Sequence, residues 1–146
     1  MITFHGKVVI PHQIIEAADT IKHLNYKTST PAKFRKNILT EELAGEFLEE
    51  IAKLINVEKN RLDYVYFSVC NGAEPHTDIL PPETFTSTTF VIPVILPKGH
   101  SVITAEDSYM TVELGGVYEF NHEKIHSMIL EDKTSGCVVI MVAIKH

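Results

Sequence analysis

The chain has 146 residues, 45% hydrophobic and 22% charged, the usage of an ordinary folded domain, and a formal net charge of −6. That charge argues against a generic binder of nucleic-acid backbone, which needs clustered Lys and Arg to displace counterions. No apolar run approaches membrane-spanning length, and the length suffices for one domain whose core needs no disulfide or metal staple.

Met1 to Lys7 lacks the charged start, long apolar stretch and cleavage site of a secretory signal, so a soluble, cytoplasmic protein is expected. Residues 12 to 24 place Ile14, Ala17, Ala18, Ile21 and Leu24 at helical spacing, with Ile15 at the margin and Pro11 suited to the first turn. Residues 25 to 39, with Tyr26, Lys27, Thr28, Ser29, Thr30 and Pro31, have turn-like composition and carry no functional signal. A second helix is expected after Thr40 as N-cap, with Glu41 and Glu42 in its first turn and Leu43, Phe47, Ile51 and Leu54 as its buried stripe. Its acidic face, Glu41, Glu42, Glu46, Glu49 and Glu50, reads as solvated surface.

From Leu62 the period shortens to that of strands. Leu62 to Cys70, Thr86 to Leu96, Val117 to Phe120, Ser127 to Glu131 and Cys137 to Ile144 are rich in β-branched and aromatic residues. Asn71-Gly72, Pro81-Pro82, Pro97-Lys98-Gly99, Gly115-Gly116 and Ser135-Gly136 supply turns between them. Short strands with no helix between them point to an antiparallel sandwich or barrel, mainly β with N-terminal helices (α+β). Cys70 and Cys137 each sit in an apolar run and are expected as reduced, buried thiols.

The chemistry concentrates in Asn71-Gly72-Ala73-Glu74-Pro75-His76-Thr77-Asp78. In an extended chain residues i and i+2 share a face, so His76 and Asp78 can aim an imidazole and a carboxylate at one point. The stretch Gly115 to His126 offers a strand, a turn and a third donor, His126. His122 competes for that role, but it falls in the polar turn Asn121-His122-Glu123-Lys124, whereas His126 precedes the apolar Met128-Ile129-Leu130. Two His and one carboxylate on one side of a metal leave its other positions open, the arrangement of non-heme Fe(II) oxygenases. The remaining histidines, His5, His12, His23, His100 and His146, read as surface or locally bonded residues, and Glu74 as an exposed turn carboxylate.

With these residues the sequence, from Tyr64 to Ile144, resembles the 2-oxoglutarate and Fe(II)-dependent dioxygenase superfamily, in its prolyl-hydroxylase-like branch. The resemblance implies a double-stranded β-helix, a jelly-roll or cupin-like barrel over residues 61–146, with residues 1–60 as supporting helices in a single domain. It implies Fe(II) held by His76, Asp78 and His126. It also implies hydroxylation or demethylation of a small-molecule or peptide substrate, with decarboxylation of 2-oxoglutarate to succinate. Tyr66 stands at the offset where such proteins place a tyrosine near the cosubstrate. The family's usual Arg or Lys on the strand after the distal His has no counterpart in Cys137 to Ile144. Lys133 is the nearest substitute, ahead of Lys98, Lys124 and Lys145. Two alternatives stay open: a cupin-like metal protein with 2-oxoglutarate-independent chemistry, and a non-catalytic jelly-roll binding module. No generic nucleic-acid or membrane partner is expected.

Overall fold

A computed structural model describes residues 1–23, 38–134 and 136–146. Its long strands, β2 (Leu62–Cys70), β4 (Phe85–Ile95) and β9 (Cys137–Lys145), lie where β-branched and aromatic residues fit a pleated, half-buried surface. With β1 (Thr3–Lys7) and β7 (Gly116–Asn121) they form a five-stranded sheet ordered β1-β7-β4-β9-β2. A second sheet is ordered β3-β8-β5-β6, from β3 (Ala73–His76), β5 (Ser101–Ala105), β6 (Ser108–Thr111) and β8 (His126–Leu130). Every pairing is antiparallel, and the fold is a jelly roll.

Period-2 alternation splits the long strands between two cores. Val65, Phe67, Val69, Val138, Ile140 and Val142 turn outward and meet α1 (His12–Ile21), α2 (Ile38–Gly45) and α3 (Leu48–Ile55). Ile14, Ala18, Ile51 and Ile140 are fully buried there, each larger aliphatic contributing about 1.5–3 kcal/mol by leaving water. Cys70, Val91, Cys137 and Val139 turn inward and meet Ile103, Ala105 and Leu130 of the second sheet.

The structure departs from the sequence reading in several places. The second helix is two: α2 starts at Ile38, so Thr40 lies inside it and not at its N-cap, and the chain turns at Glu46-Phe47 before α3. Leu43, Phe47 and Leu54 are partly buried against the core, while Ile51 is fully buried. The first 60 residues are not only helical support, because β1 pairs with β7 as an edge of the barrel. The hairpin β5–β6 went unpredicted; it closes on Glu106-Asp107, with Glu106 at φ 54°. Leu24, residues 25–37 and Ser135, all named in the sequence reading, lie outside the described residues. Both cysteines are free and buried, as expected. Among the described residues no helix is long and apolar enough to cross a membrane.

Candidate metal centre

Gly72 lets the chain leave β2 for the other sheet. It adopts φ 103°, and a Cβ there would stand 2.9 Å from the backbone oxygen of Met128, so a side chain would push β3 off β8. The register that follows pairs Ala73 with Met128 and sets His76 directly opposite His126. Asp78, just beyond β3, is held by its backbone N–H, which donates to His122 O at 2.8 Å. The strand pairing and this loop contact bring one ligand atom each of His76, Asp78 and His126 within 4.8 Å of one another. Among the sequence-predicted site residues, the structure thus brings these three together.

Hydrogen bonds fix the tautomers. His76 donates Nδ1–H to Glu74 O at 2.6 Å, and His126 donates Nδ1–H to Lys124 O at 2.8 Å. A carbonyl only accepts, so Nδ1 carries the hydrogen and the neutral form of each ring keeps its lone pair on Nε2. His126 Nε2 faces Asp78 Oδ2 at 3.0 Å, and His76 Nε2 faces Asp78 Oδ1 at 3.5 Å. Lone pairs so close repel unless a cation, proton or metal stands among them. Metal bonds of about 2.1 Å at right angles put neighbouring donor atoms about 3 Å apart, so the donor set and its spacing fit a divalent metal. Burial pushes the Asp78 carboxyl up, but without a metal a proton on His126 Nε2 takes the cation's place, and its hydrogen bond and charge, helped by His76, more than offset the burial. Asp78 is therefore held below its ordinary value, as the anion a metal needs.

His122 is the residue the sequence reading placed wrongly. It is buried, 1% exposed, instead of solvated in a turn. Its Nδ1 is hydrogen-bonded to Thr89 Oγ1 at 2.7 Å, and its backbone N–H donates to Ser87 O at 3.0 Å. Burial lowers its pKa, so the ring stays neutral. It is not in the ligand cluster; it ties the Asp78 loop to β4. The signal was present in the buried alternation Tyr118, Phe120, His122, which runs one residue past the end of β7.

The cluster opens onto a cavity of about 80 Å³ between the sheets. Since a water needs roughly 10–15 Å³, this is room for a ligand of a few heavy atoms. Tyr66, Ser68 and Cys70 of β2 line it with Val91, Val139 and Met141, and Phe120 packs on His126 with ring centroids 4.6 Å apart. Burial first, then the nearby Tyr64 and Asp78, raises the Tyr66 phenol well above its ordinary value, so it stays a neutral O–H donor. Lys133 lies elsewhere, in an outer groove with Asn71 to Pro75 and Ile129. Among the described residues, no Lys or Arg lines the cavity.

No protein-family model and no curated protein matches the sequence. Solved structures do match in fold. A prolyl-4-hydroxylase of Pseudomonas putida superposes with a TM-score of 0.56 at 9% identity, over 99% of this chain and 92% of that one. A prolyl hydroxylase of Trichoplax adhaerens, solved with a hypoxia inducible factor oxygen degradation domain peptide fragment, gives 0.56 at 6% identity, over 99% and 83%. The ribosomal oxygenase YcfD of Escherichia coli gives 0.43 at 15% identity over 67% of this chain, which spans only 28% of that protein. The chain shares the jelly-roll fold of the two prolyl hydroxylases, with a His-Asp-His cluster inside it.

Proposed function

We propose that this protein is a non-heme Fe(II) oxygenase that takes 2-oxoglutarate as cosubstrate and hydroxylates a small-molecule or peptide substrate. The observation that carries the reading is the convergence of two lone-pair imidazoles and one carboxylate on a small cavity. The fold shared with two prolyl hydroxylases supports it. When bound, Fe(II) would activate dioxygen and couple decarboxylation of 2-oxoglutarate to oxidation of a substrate C–H bond. His76, Asp78 and His126 would hold the metal, and its chemistry would be supplied at the cavity they border. Tyr66, neutral and buried in the cavity wall, would donate its O–H to a carboxylate of the cosubstrate. Val91, Val139 and Met141 give the cavity an apolar wall, and Phe120 steadies the His126 ring. Ile79 and Ile125, 94% and 61% exposed, follow Asp78 and precede His126, so the substrate meets apolar side chains beside the metal ligands.

A second reading, oxygenation at the same metal without 2-oxoglutarate, is favoured by one observation. The cavity has no cation among the described residues, whereas a dicarboxylate is best held by a bidentate or point positive charge. Anaerobic visible absorption of the Fe(II)-loaded protein during 2-oxoglutarate titration separates the two. A weak charge-transfer band that grows with 2-oxoglutarate and is absent in His126→Ala is the expected result. Iron binding without such a band would move the second reading to first place.

A further inference from the structure

Cys70 and Cys137 are the only cysteines in the sequence, and they are direct partners across the β2–β9 ladder. Directly opposite residues of an antiparallel pair have Cα atoms about 4.5–5.5 Å apart and side chains on one face. A disulfide needs about 4.4–6.8 Å, so the register alone puts the pair within bonding reach. Both side chains turn to the inner face of the sheet, where they pack in one core. Cys70 lines the same cavity as His76, Asp78 and His126, whereas Cys137 is 0% exposed behind it. One sulfur is thus reachable by a small molecule in the cavity, and the other is reachable only by the first.

We propose that Cys70 and Cys137 are a redox-active dithiol in the cavity wall, which hydrogen peroxide oxidises to an intramolecular, cross-strand disulfide. The Cys70 thiolate attacks one oxygen of the peroxide, the O–O bond breaks, and hydroxide leaves. The Cys137 thiol gives its proton to that hydroxide, making the first water, and its thiolate attacks the sulfenic sulfur: the S–S bond forms, the S–O bond breaks, and the departing hydroxide becomes the second water with the proton that Cys70 had released. One peroxide is reduced to two waters while two thiols are oxidised. Hydrogen bonds to Cys70 sulfur, from Cys137 first and also from Gly72 N–H and Ser68, outweigh burial and bring its pKa down to about 7, while Cys137 is pushed up. Cys70 is therefore the attacking sulfur and Cys137 the resolving one. Cross-strand partners hold their Cβ atoms about 4.5–5.5 Å apart, wider than the about 3.8 Å of a relaxed disulfide, so the bond is strained and easily reduced again. This inference does not depend on the metal reading.

The test uses the full chain, freed of metal by chelation and exposed to hydrogen peroxide. The protein is then unfolded, alkylated and weighed intact. The expected result is loss of the mass of two hydrogens, no alkylation, recovery of both thiols with dithiothreitol, and a peptide map joining Cys70 to Cys137 within one chain. The rate should rise about tenfold per pH unit below about pH 7 and level off above it. Cys137→Ser should stop at a sulfenic acid on Cys70 that dimedone traps, and Cys70→Ser should leave Cys137 unoxidised. Two alkylated thiols after peroxide, added oxygen without a disulfide, or a bond between chains would each overturn the proposal. These readouts on the unsubstituted protein decide it even where a variant fails to fold.

Discussion

The two faces of the five-stranded sheet are built from alternate residues of the same strands. Under the helices, Val65, Phe67, Val138, Ile140 and Val142 form a close-packed aliphatic layer. One residue along, Tyr66, Ser68, Val139 and Met141 line the cavity beside the His-Asp-His cluster. The outer face contributes stability through buried area, and the inner face gives part of that up to hold hydroxyls, thiols and space. Neighbours in sequence should therefore fail in different ways when changed.

The largest contrast pits His126→Ala against Ile140→Ala. Loss of the imidazole should lower divalent-metal affinity by at least about 100-fold, more than the loss of an outer-shell partner costs, with little change in unfolding midpoint of the metal-free protein. Ile140→Ala opens a cavity at a residue with 0% exposure and should cost about 2–5 kcal/mol, leaving the metal affinity of the folded protein unchanged. Calorimetric metal titration and urea unfolding of both variants check this. Equal losses of metal affinity would show that the two faces are not independent. Metal at a hundred times its Kd should add about 2.7 kcal/mol of stability to the unsubstituted protein and to Ile140→Ala, and at most about 0.4 kcal/mol to His126→Ala at that concentration.

A smaller effect sharpens the inner face itself. Tyr66→Phe removes one O–H from the cavity and should weaken 2-oxoglutarate binding by about fivefold to tenfold, the worth of roughly one hydrogen bond, with metal affinity intact. Lys133→Ala, in the outer groove, should leave 2-oxoglutarate affinity unchanged. Titration of the Fe(II)-loaded variants measures both, and a large loss from Lys133→Ala would mean that its side chain swings into the site when the ligand arrives.

How much of this was legible in the sequence follows the same division between faces. The long strands β2, β4 and β9 were readable because burial on both faces makes them continuous β-branched runs. β1 and β6 were hidden because sheet edges tolerate polar residues such as His5, Lys7 and Ser108, and β5 because only Ser101, Ile103 and Ala105 of it face inward. The break between α2 and α3 was hidden by a hydrophobic stripe that runs through Glu46-Phe47 without a proline. His76 and Asp78 were readable as a pair because i,i+2 spacing is a local rule, and His126 because it leads into the apolar Met128-Ile129-Leu130. His122 was not, because its burial depends on Thr89 and Ser87, which come from another strand.

The smallest expected effect concerns the cluster without its metal. Asp78 has a folded-state pKa below its unfolded value, since the hydrogen bond and charge of His126 overcome the burial that raises it. A depressed carboxylate contributes stability that is complete above the unfolded pKa and is lost as pH falls through the folded one. Asp78→Asn keeps the shape and removes the charge, so in metal-free protein it should unfold at slightly lower urea than the unsubstituted chain at about pH 7. The gap should narrow as pH falls below the ordinary carboxylate range and through the depressed folded pKa of Asp78, where the native carboxyl takes up its proton. The side chain is 39% exposed, so solvent screening keeps the gap small. A gap that instead widened on acidification would mean that burial, and not the pairing with His126, governs this carboxylate, and that the cluster is not preorganised for a cation.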